Sequence, residues 1–422
     1  MVGVTLAYFL TKLGSFDVTI IDKDISVKGA SRQNANTITL IPFPAWTTIN
    51  IWAVLKQNVL RDANPSSYFR FSLLLESQFR LWLFRYMRSR SASVVERSNL
   101  AIVKMGAFGF RLFDDYVADV TGAQPDLVDY HDEVVTTVLK GLTADEVASK
   151  DKVYAFLAQY DPYCHKASPE DTAKFVGASA MYRLKLKLLN TLKFCELARN
   201  KIVADLGVKF VQGEVNEVTH SARSVRAVGY RDAAGGQHSL GGFDKYVFCG
   251  GIESINLGRL VGTKVPIYGF KGHSLNVYVD QTSMPDSSYI VVPDNVAIAR
   301  VGLNTSGMVR VTGYSDVVGN NLDTLPLRKQ QLVAFTKKFI GEQHYDDSKA
   351  DHWVGLRPVS ADDVPIVGQS TKFDNLYWNT GHGSRGITHA PASAVLLTSI
   401  MAGTDAPKEL EASDYSPARF GM

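Results

Sequence analysis

The residues best suited to chemistry lie near the C-terminus. Gly355-Leu356-Arg357-Pro358-Val359-Ser360-Ala361-Asp362-Asp363-Val364-Pro365-Ile366-Val367-Gly368 precedes Gly381-His382-Gly383-Ser384-Arg385-Gly386. Pro358 and Pro365 exclude a helix interior from the first block, which reads as a rigid turn ending on a glycine. Gly381, Gly383 and Gly386 stand just ahead of an apolar helical run. Such a cluster brings backbone N–H groups close to an anionic or electron-rich ligand at a helix N-terminus; its other reading is an ordinary tight turn. An arginine fork is the natural device for a carboxylate. Arg357, Arg385 and Arg300 are the candidates, and the alternative for each is a structural ion pair. Arg385 is favoured because it sits inside the glycine turn, whereas Arg300 reads as structural. His382 either hydrogen-bonds a ligand or is a buried histidine satisfied by backbone. His273 and Lys271 either face the ligand or form a strand-edge polar pair. No Ser-His-Asp or paired-carboxylate arrangement stands out, and the nine histidines include no close metal-type pair.

The elements that must position these residues are those of an ordinary globular chain. Its 422 residues are 45% hydrophobic and 21% charged, enough for two or more cores. Net charge is 45 − 42 = +3, which makes no electrostatic case for nucleic acid. Cys164, Cys195 and Cys249 are far apart and lack a C-x-x-C pair, so neither a disulfide scaffold nor a zinc site is expected, and a reducing compartment (cytoplasm or mitochondrion) fits. Phe69 to Phe84 is cut by Arg70, Glu76 and Arg80, so no transmembrane helix is expected. Val2 to Leu10 lacks the basic flank of a signal peptide.

Along the chain, Val4 to Leu13 reads as a helix with Gly14 as a left-handed C-cap, followed by a buried strand Val18-Thr19-Ile20-Ile21 that ends on Asp22. Helix, glycine, strand, acid is the second half of a βαβ dinucleotide unit, with Gly3 as the last fingerprint glycine. The first strand and the first two glycines of that unit are not in the sequence. Residues 51–120 read as helical, with Phe79, Trp82, Leu83 and Tyr86 packing a core. Phe194 to Ala204 is a helix capped at Gly207, and a hairpin turns through Asp232-Ala233-Ala234-Gly235-Gly236. Tyr246 to Gly251 is a strand running into a glycine turn. Residues 266–345 are β-rich, with strands at Ser274–Val279, Tyr289–Val292 and Val309–Val311. The tail 404–422 reads as polar and irregular.

These residues also carry a family resemblance. The chain resembles the FAD-dependent oxidoreductases of the D-amino-acid oxidase superfamily, on the side of the bacterial D-amino-acid dehydrogenases. Gly3 through Asp22 is similar to the end of their dinucleotide fingerprint, and Ala30-Ser31-Arg32-Gln33-Asn34-Ala35-Asn36 to their Ser-x-x-Asn-Ala-Gly turn. Phe110 to Phe113 is similar to their long helix, Gly207 through Val215 to the adenine-side strand, and Tyr246 through Ser254 to a strand and turn near the flavin. Lys271-Gly272-His273-Ser274 resembles a Lys-Gly-Tyr-Ser segment. The C-terminal blocks resemble Gly-Leu-Arg-Pro…Asp…Pro…Gly and Asn-x-Gly-His-Gly…Gly…Thr, with Asn379, Gly381, His382, Gly383, Gly386 and Thr388 on the pattern. Asn36 and Asp363 replace glycines, Arg385 replaces an apolar residue, and Leu184 to Leu189 replaces a polar turn.

The resemblance implies a Rossmann-like FAD-binding domain interleaved with an α+β substrate domain on an antiparallel sheet. Residues 1–50, 175–265 and 346–422 would form the first, and 51–174 with 266–345 the second. It implies FAD held by Gly3, Asp22, Lys23, Ser31, Asn34, Ala35, Val215, Gly251, Gly381, Gly383, Ser384, Gly386, Ile387 and Thr388. Arg385, His382, Arg357 and His273 would stand at the substrate, and no metal is needed. The implied reaction is oxidation of an amino acid's C–N bond, with quinone or oxygen as final acceptor and peripheral membrane contact through residues 69–90. Two other readings stay open: a flavin-free scaffold subunit, and an FAD oxidase acting on another secondary amine such as a modified tRNA base, which Gly-Ser-Arg-Gly resembles. Loss of two or three phosphate hydrogen bonds would cost FAD binding roughly 3–9 kcal/mol at about 1.5–3 kcal/mol each. An upstream segment completing the fingerprint is the expectation preferred over a degenerate copy.

Overall fold

The computed structural model describes residues 1–14, 16–24, 29–31, 34–40, 51–60, 67–279, 285, 287–292, 296–300, 307–346, 348 and 350–422. Arg32, Gln33 and the side chain of Arg300 lie outside the described residues. The strands are Thr19–Asp22 (β1), Thr37–Thr39 (β2), His131–Lys140 (β3), His165–Lys166 (β4), Ala178–Leu188 (β5), Lys209–Gln212 (β6), Glu214–Ser221 (β7), Ser224–Arg231 (β8), Gln237–Gly241 (β9), Tyr246–Phe248 (β10), Ile267–Tyr278 (β11), Ser288–Val292 (β12), Val296–Arg300 (β13), Met308–Asp316 (β14), Asp351–Ser360 (β15), Ile366–Gln369 (β16) and Leu376–Thr380 (β17).

Two architectures interleave. One is a large, mostly antiparallel sheet in the order β15-β11-β14-β13-β12-β3-β5-β2, with β4 alongside β5. The other is parallel α/β structure in two pieces: β1 beside β6, and β10 beside β17, with β16 antiparallel on the far side of β17. The hairpin sheet β7-β8-β9 completes the set. The large sheet takes strands from sequence segments on both sides of the expected domain boundaries, since β5 pairs there with β3 and β15 with β11, and β2 joins through β5.

The first helix, Val2–Gly14, is apolar enough to bury Leu6, Ala7, Phe9 and Leu10. Its core partners are Ala392, Leu396 and Leu397 of the helix Gly386–Ala402, and Phe113 and Tyr116 of the helix Ala92–Thr121. Each such leucine or phenylalanine contributes about 1.5–3 kcal/mol on burial. Gly109 lets the last two helices touch, because a Cβ there would stand 2.0 Å from the Thr388 carbonyl oxygen. Phe79, Trp82 and Tyr86 pack in a second core with Tyr268, Phe270 and Trp378, as their spacing predicts. Among the described residues no helix is long and apolar enough to cross a membrane.

Three local expectations are corrected. Gly14 is the last helical residue and not a left-handed cap; its lack of a side chain leaves room for the Phe16 ring, 2.5 Å from where a Cβ would be. Pro358 lies within β15, opposite Gly269, and not in a turn. The strand tolerates it because β15 ends the sheet, where one side of the backbone needs no ladder partner. The tail is not irregular: short helices at Ala412–Tyr415 and Pro417–Phe420 bury Tyr415 and Phe420, and Tyr415 Oη donates to the Ala101 carbonyl at 2.8 Å. Gly207, by contrast, takes the left-handed φ of 67° expected after the helix Thr191–Ala204.

Candidate functional site

A cavity of about 2170 Å³ lies where the two architectures meet. That exceeds the roughly 300–1,000 Å³ of a single small-ligand pocket. Its wall gathers most of the residues singled out from the sequence. Gly3 enters from the first helix, Asp22 and Lys23 from the end of β1, and Ser31, Asn34 and Ala35 from the turn before β2. Val215 comes from β7, Gly251 from the turn after β10, and His273 and Arg357 from the large sheet. His382, Gly383, Ser384, Gly386, Ile387 and Thr388 complete it from the C-terminal turn and helix. Gly381, Arg385 and Lys271 are not in that wall.

The two C-terminal blocks meet in space. Val359 bridges to His382, and Arg385 Nη1 donates to Asp363 Oδ2 at 2.8 Å. Arg385 was expected at the ligand; the structure places it in this buried ion pair instead, 6% exposed against 1% for Asp363. Asp363 holds a left-handed φ of 65° and Asn36 one of 56°, so both residues that replace glycines keep a glycine-like backbone. Gly381 packs against Ser360, 3.3 Å from where its Cβ would be, and serves the turn. Thr380 Oγ1 accepts from Ser254 Oγ at 2.8 Å and donates to the Gly251 carbonyl at 3.1 Å, tying the glycine turn after β10 to the end of β17.

On the opposite wall, β14 carries one extra residue relative to β11 between Gly313 and Asp316. Tyr314 takes a φ of 60° there, an unusual backbone for an aromatic residue. This turns the Tyr314 carbonyl to accept from Arg357 Nη1 at 2.7 Å, while Ser315 Oγ accepts at 3.0 Å. Arg357 crosses the neighbouring strand at Gly272, where a Cβ would stand 2.5 Å from its guanidinium. Among the described residues no carboxylate lies within ion-pair distance of it. Burial pushes its pKa down to about 10, against the opposing pull of Asp316. Tyr314 carried no chemical signal in the sequence, and Gly272 entered only within the Lys271–Ser274 resemblance; the strand pairing reveals what both do.

His273 belongs to a buried network. Its Nε2 lies 3.1 Å from Asp316 Oδ2 and its Nδ1 3.3 Å from His352 Nε2. Arg328 grips Asp316 through Nε at 3.0 Å and Nη2 at 2.6 Å. Burial pushes Asp316 up, but hydrogen bonds from His273 and Arg328 outweigh it and hold the carboxyl below its ordinary value. Burial holds His273 below its ordinary pKa and His352 down at about 4. The His273–His352 contact is a pairing that sequence spacing did not reveal. Lys271, itself not in the cavity wall, donates to Asn321 Oδ1 at 2.7 Å and the Asp323 carbonyl at 2.8 Å. Among the described residues no cluster could hold a metal ion.

His382 is buried beside Ser393 Oγ at 3.2 Å, and burial pushes its pKa down to about 3, so it is neutral at ordinary pH. Asn379 is fully buried in the cavity wall with neither end of its amide partnered, and the Ser274 hydroxyl is likewise unpartnered. A buried amide without partners costs about 1–3 kcal/mol per group. Such groups fit a wall that meets a polar ligand. Asp22 is exposed at the end of β1 and accepts from the Asp24 N–H at 2.9 Å; Lys23 pairs with Glu253 at 3.1 Å.

Parallel strands ending in glycine turns at helix starts, joined to a large antiparallel sheet over one cavity, define a dinucleotide-dependent oxidoreductase architecture. The chain belongs to the family described as FAD dependent oxidoreductase, which matches residues 1–400. Whole-chain relatives include the D-amino acid dehydrogenase of Neisseria gonorrhoeae, 25% identical over 99% of this chain and 97% of the relative. That of Rhizobium rhizogenes is 27% identical over 100% and 98%. Among solved structures, L-proline dehydrogenase from P. horikoshii aligns with a TM-score of 0.69 at 15% identity, covering 99% of this chain and 95% of that one. Glycine oxidase from Geobacillus kaustophilus also gives 0.69, at 14% identity over 98% and 95%. These two share the fold.

Proposed function

We propose that the protein oxidises the C–N bond of an amino acid, a D-amino acid in particular, to an imino acid that hydrolyses to a 2-oxo acid and ammonia. The observation that carries this reading is Arg357: a guanidinium in the wall of a large cavity, held flat over Gly272, with no carboxylate partner among the described residues. A cation so placed invites an anion, and a bidentate carboxylate fits its fork. Two backbone-anchored hydrogen bonds fix its orientation, so a bound amino acid would present its α-carbon in one direction. The unpartnered Asn379 amide, the Gly383–Gly386 turn and the N-terminus of the helix Gly386–Ala402 suit the ring side of a flavin; Asp22 suits the ribose. Bound FAD would supply the two-electron acceptor for the hydride leaving the α-carbon. Neutral His382 can hydrogen-bond ligand or cofactor without adding charge.

In this reading residues 1–50, 175–265 and 346–422 hold the cofactor, while 51–174 and 266–345 shape the substrate side. The final acceptor is a quinone or oxygen. Exposed Leu75 and Phe84, near Arg80 and Arg88, support peripheral contact with an anionic membrane, as quinone reduction would require. The three free cysteines suit a reducing compartment.

The test is anaerobic incubation of flavin-loaded protein with D- and L-amino acids, following bleaching of the flavin absorbance and 2-oxo acid release. Bleaching by D-amino acids supports the reading. A folded protein that takes up no FAD would favour the scaffold alternative.

A further inference from the structure

The large sheet meets the cavity along one row of side chains. Ser274 of β11 stands opposite Thr312 of β14, and Thr312 opposite Ala297 of β13. Ala297 in turn stands opposite Ile290 of β12, and Ile290 opposite Thr137 of β3. All five line the cavity. Paired residues on neighbouring strands share a face, so the row is a continuous floor. Four strand spacings of about 4.8 Å make it about 19 Å long. The Arg357 guanidinium lies against Gly272, two residues from Ser274, at one end. At the other end Thr137 is opposite Tyr182, and the Tyr154 ring of the helix Ala144–Leu157 covers Tyr182 at 3.7 Å with the planes 7° apart. Tyr154 lines the cavity too and closes the row. The floor is chemically graded. Near Arg357 it offers hydroxyls, and that of Ser274 is buried without a partner. Beyond Thr312 it turns apolar: Ala297 and Ile290 belong to one cluster with Ala299, Val292 and Leu139, which also line the cavity. The small side chains of Ala297 and Ala299 keep the middle open. Lys150, one turn before Tyr154, borders this region and is partly exposed; a lysine stem covers apolar surface while its head stays in water.

We infer that this floor takes the apolar tail of the carboxylate that Arg357 holds: the amino acid oxidised here carries an aliphatic or aromatic extension, on its α-carbon or its nitrogen, that runs across β14 and β13 toward Ile290. The inference rests on the amino-acid reading of Arg357 and adds the substrate's class to it. An amino acid's own backbone spans only about 3.3–3.6 Å, so most of the floor lies beyond the reacting centre. The floor makes no case for a polar or charged tail, because its middle offers such a group neither hydrogen-bond partner nor counter-charge, and burying it there would be unfavourable. Ala297 is the specificity-determining position: it stands two strands from Ser274, where a tail longer than a methyl group must pass. The row lies wholly on the large sheet, and none of its residues belongs to the parallel strands or the first helix.

The first probes are carboxylates without an amine, propionate and octanoate, titrated into the protein by calorimetry so that binding is read apart from oxidation. Octanoate should bind a hundredfold or more tighter, and Ala297→Phe should erase that preference. Ile290→Ala, which opens the floor and needs no extra room, should move the best chain length upward by one or two carbons. Octanoate no tighter than propionate, or a preference that survives Ala297→Phe in folded protein, would overturn the inference. The second readout is turnover by flavin-loaded protein. From D-alanine to D-norleucine kcat/KM should rise about fourfold per methylene, the equivalent of about 0.8 kcal/mol per buried CH2. N-butylglycine, the isomer with its tail on nitrogen, tells the two attachment points apart. If D-alanine is oxidised and neither longer isomer is turned over faster, the inference falls while the amino-acid reading stands. Length-dependent carboxylate binding with no flavin bleaching by any amino acid would refute the amino-acid reading and uphold the floor as the site of an apolar carboxylate.

Discussion

Replacing Asp363 by glycine would do two opposing things. It would relieve a left-handed backbone, φ 65°, worth about 1 kcal/mol in an L-residue. It would also strip Arg385 of a carboxylate 2.8 Å away in a site where both side chains are almost fully buried. Removing one partner of a buried pair costs about 3–5 kcal/mol. The net expectation is destabilisation by about 2–4 kcal/mol. Arg385→Leu alone should cost about 3–5 kcal/mol, because a buried carboxylate then loses the guanidinium 2.8 Å away. The double variant removes both charges and relaxes the turn, and should lie within about 1 kcal/mol of the starting protein, since apolar replacement of a buried pair is often near neutral. The interaction energy from the cycle would therefore be about 4 kcal/mol or more, above the roughly 0.5–3 kcal/mol usual for contacting residues. Equilibrium urea unfolding followed by circular dichroism is the suitable assay. Thermal scans are less so: at about 2.1 cal/mol/K per residue, a 422-residue chain shifts only about 1 °C per kcal/mol. Additivity within about 0.5 kcal/mol would refute the claim that these two departures from the family pattern answer one another.

Other outcomes follow from the same geometry. Arg357→Met should raise KM for an amino acid by about tenfold to a hundredfold, the equivalent of one charge-assisted contact at about 1.5–3 kcal/mol, with a smaller change in kcat; steady-state kinetics would read the split. Gly272→Ala should reproduce part of that loss by displacing the guanidinium, and a KM indistinguishable from the unaltered protein would deny the close crossing of strand and arginine. His382 is depressed to about 3 in the fold, so the unfolded chain binds the proton first as pH falls. Stability present above pH 6.5 is then lost toward pH 3 at about 1.4 kcal/mol per unit, and His382→Gln should remove that part of the slope in urea titrations at several pH values. Gly109→Ala should destabilise by more than about 2 kcal/mol in the same assay, since the clash is with backbone and cannot rotate away.

The glycine-rich turn ahead of an apolar helix, the cap at Gly207 and the alternating strands of 266–345 were legible in the chain because each rests on local backbone preference or short-range periodicity. The family was legible too, since its blocks sit at fixed backbone turns. What the chain could not disclose is direction. Arg385 lies within the expected turn, yet Asp363, 22 positions earlier, turns it away from the cavity. Lys271 and Arg357 sit on neighbouring strands, but one is held by Asn321 and stays out of the cavity wall, while the other crosses Gly272 into that wall. Pro358 reads as a breaker until its strand is seen at the edge of the large sheet. Strand order, edge position and a single extra residue in β14 are non-local facts, and they decide which face each side chain meets. Sequence thus determined the local elements and the class of chemistry. Tertiary pairing alone decided which charged groups line the cavity and which are consumed by one another, because a buried charge goes wherever the fold places its partner.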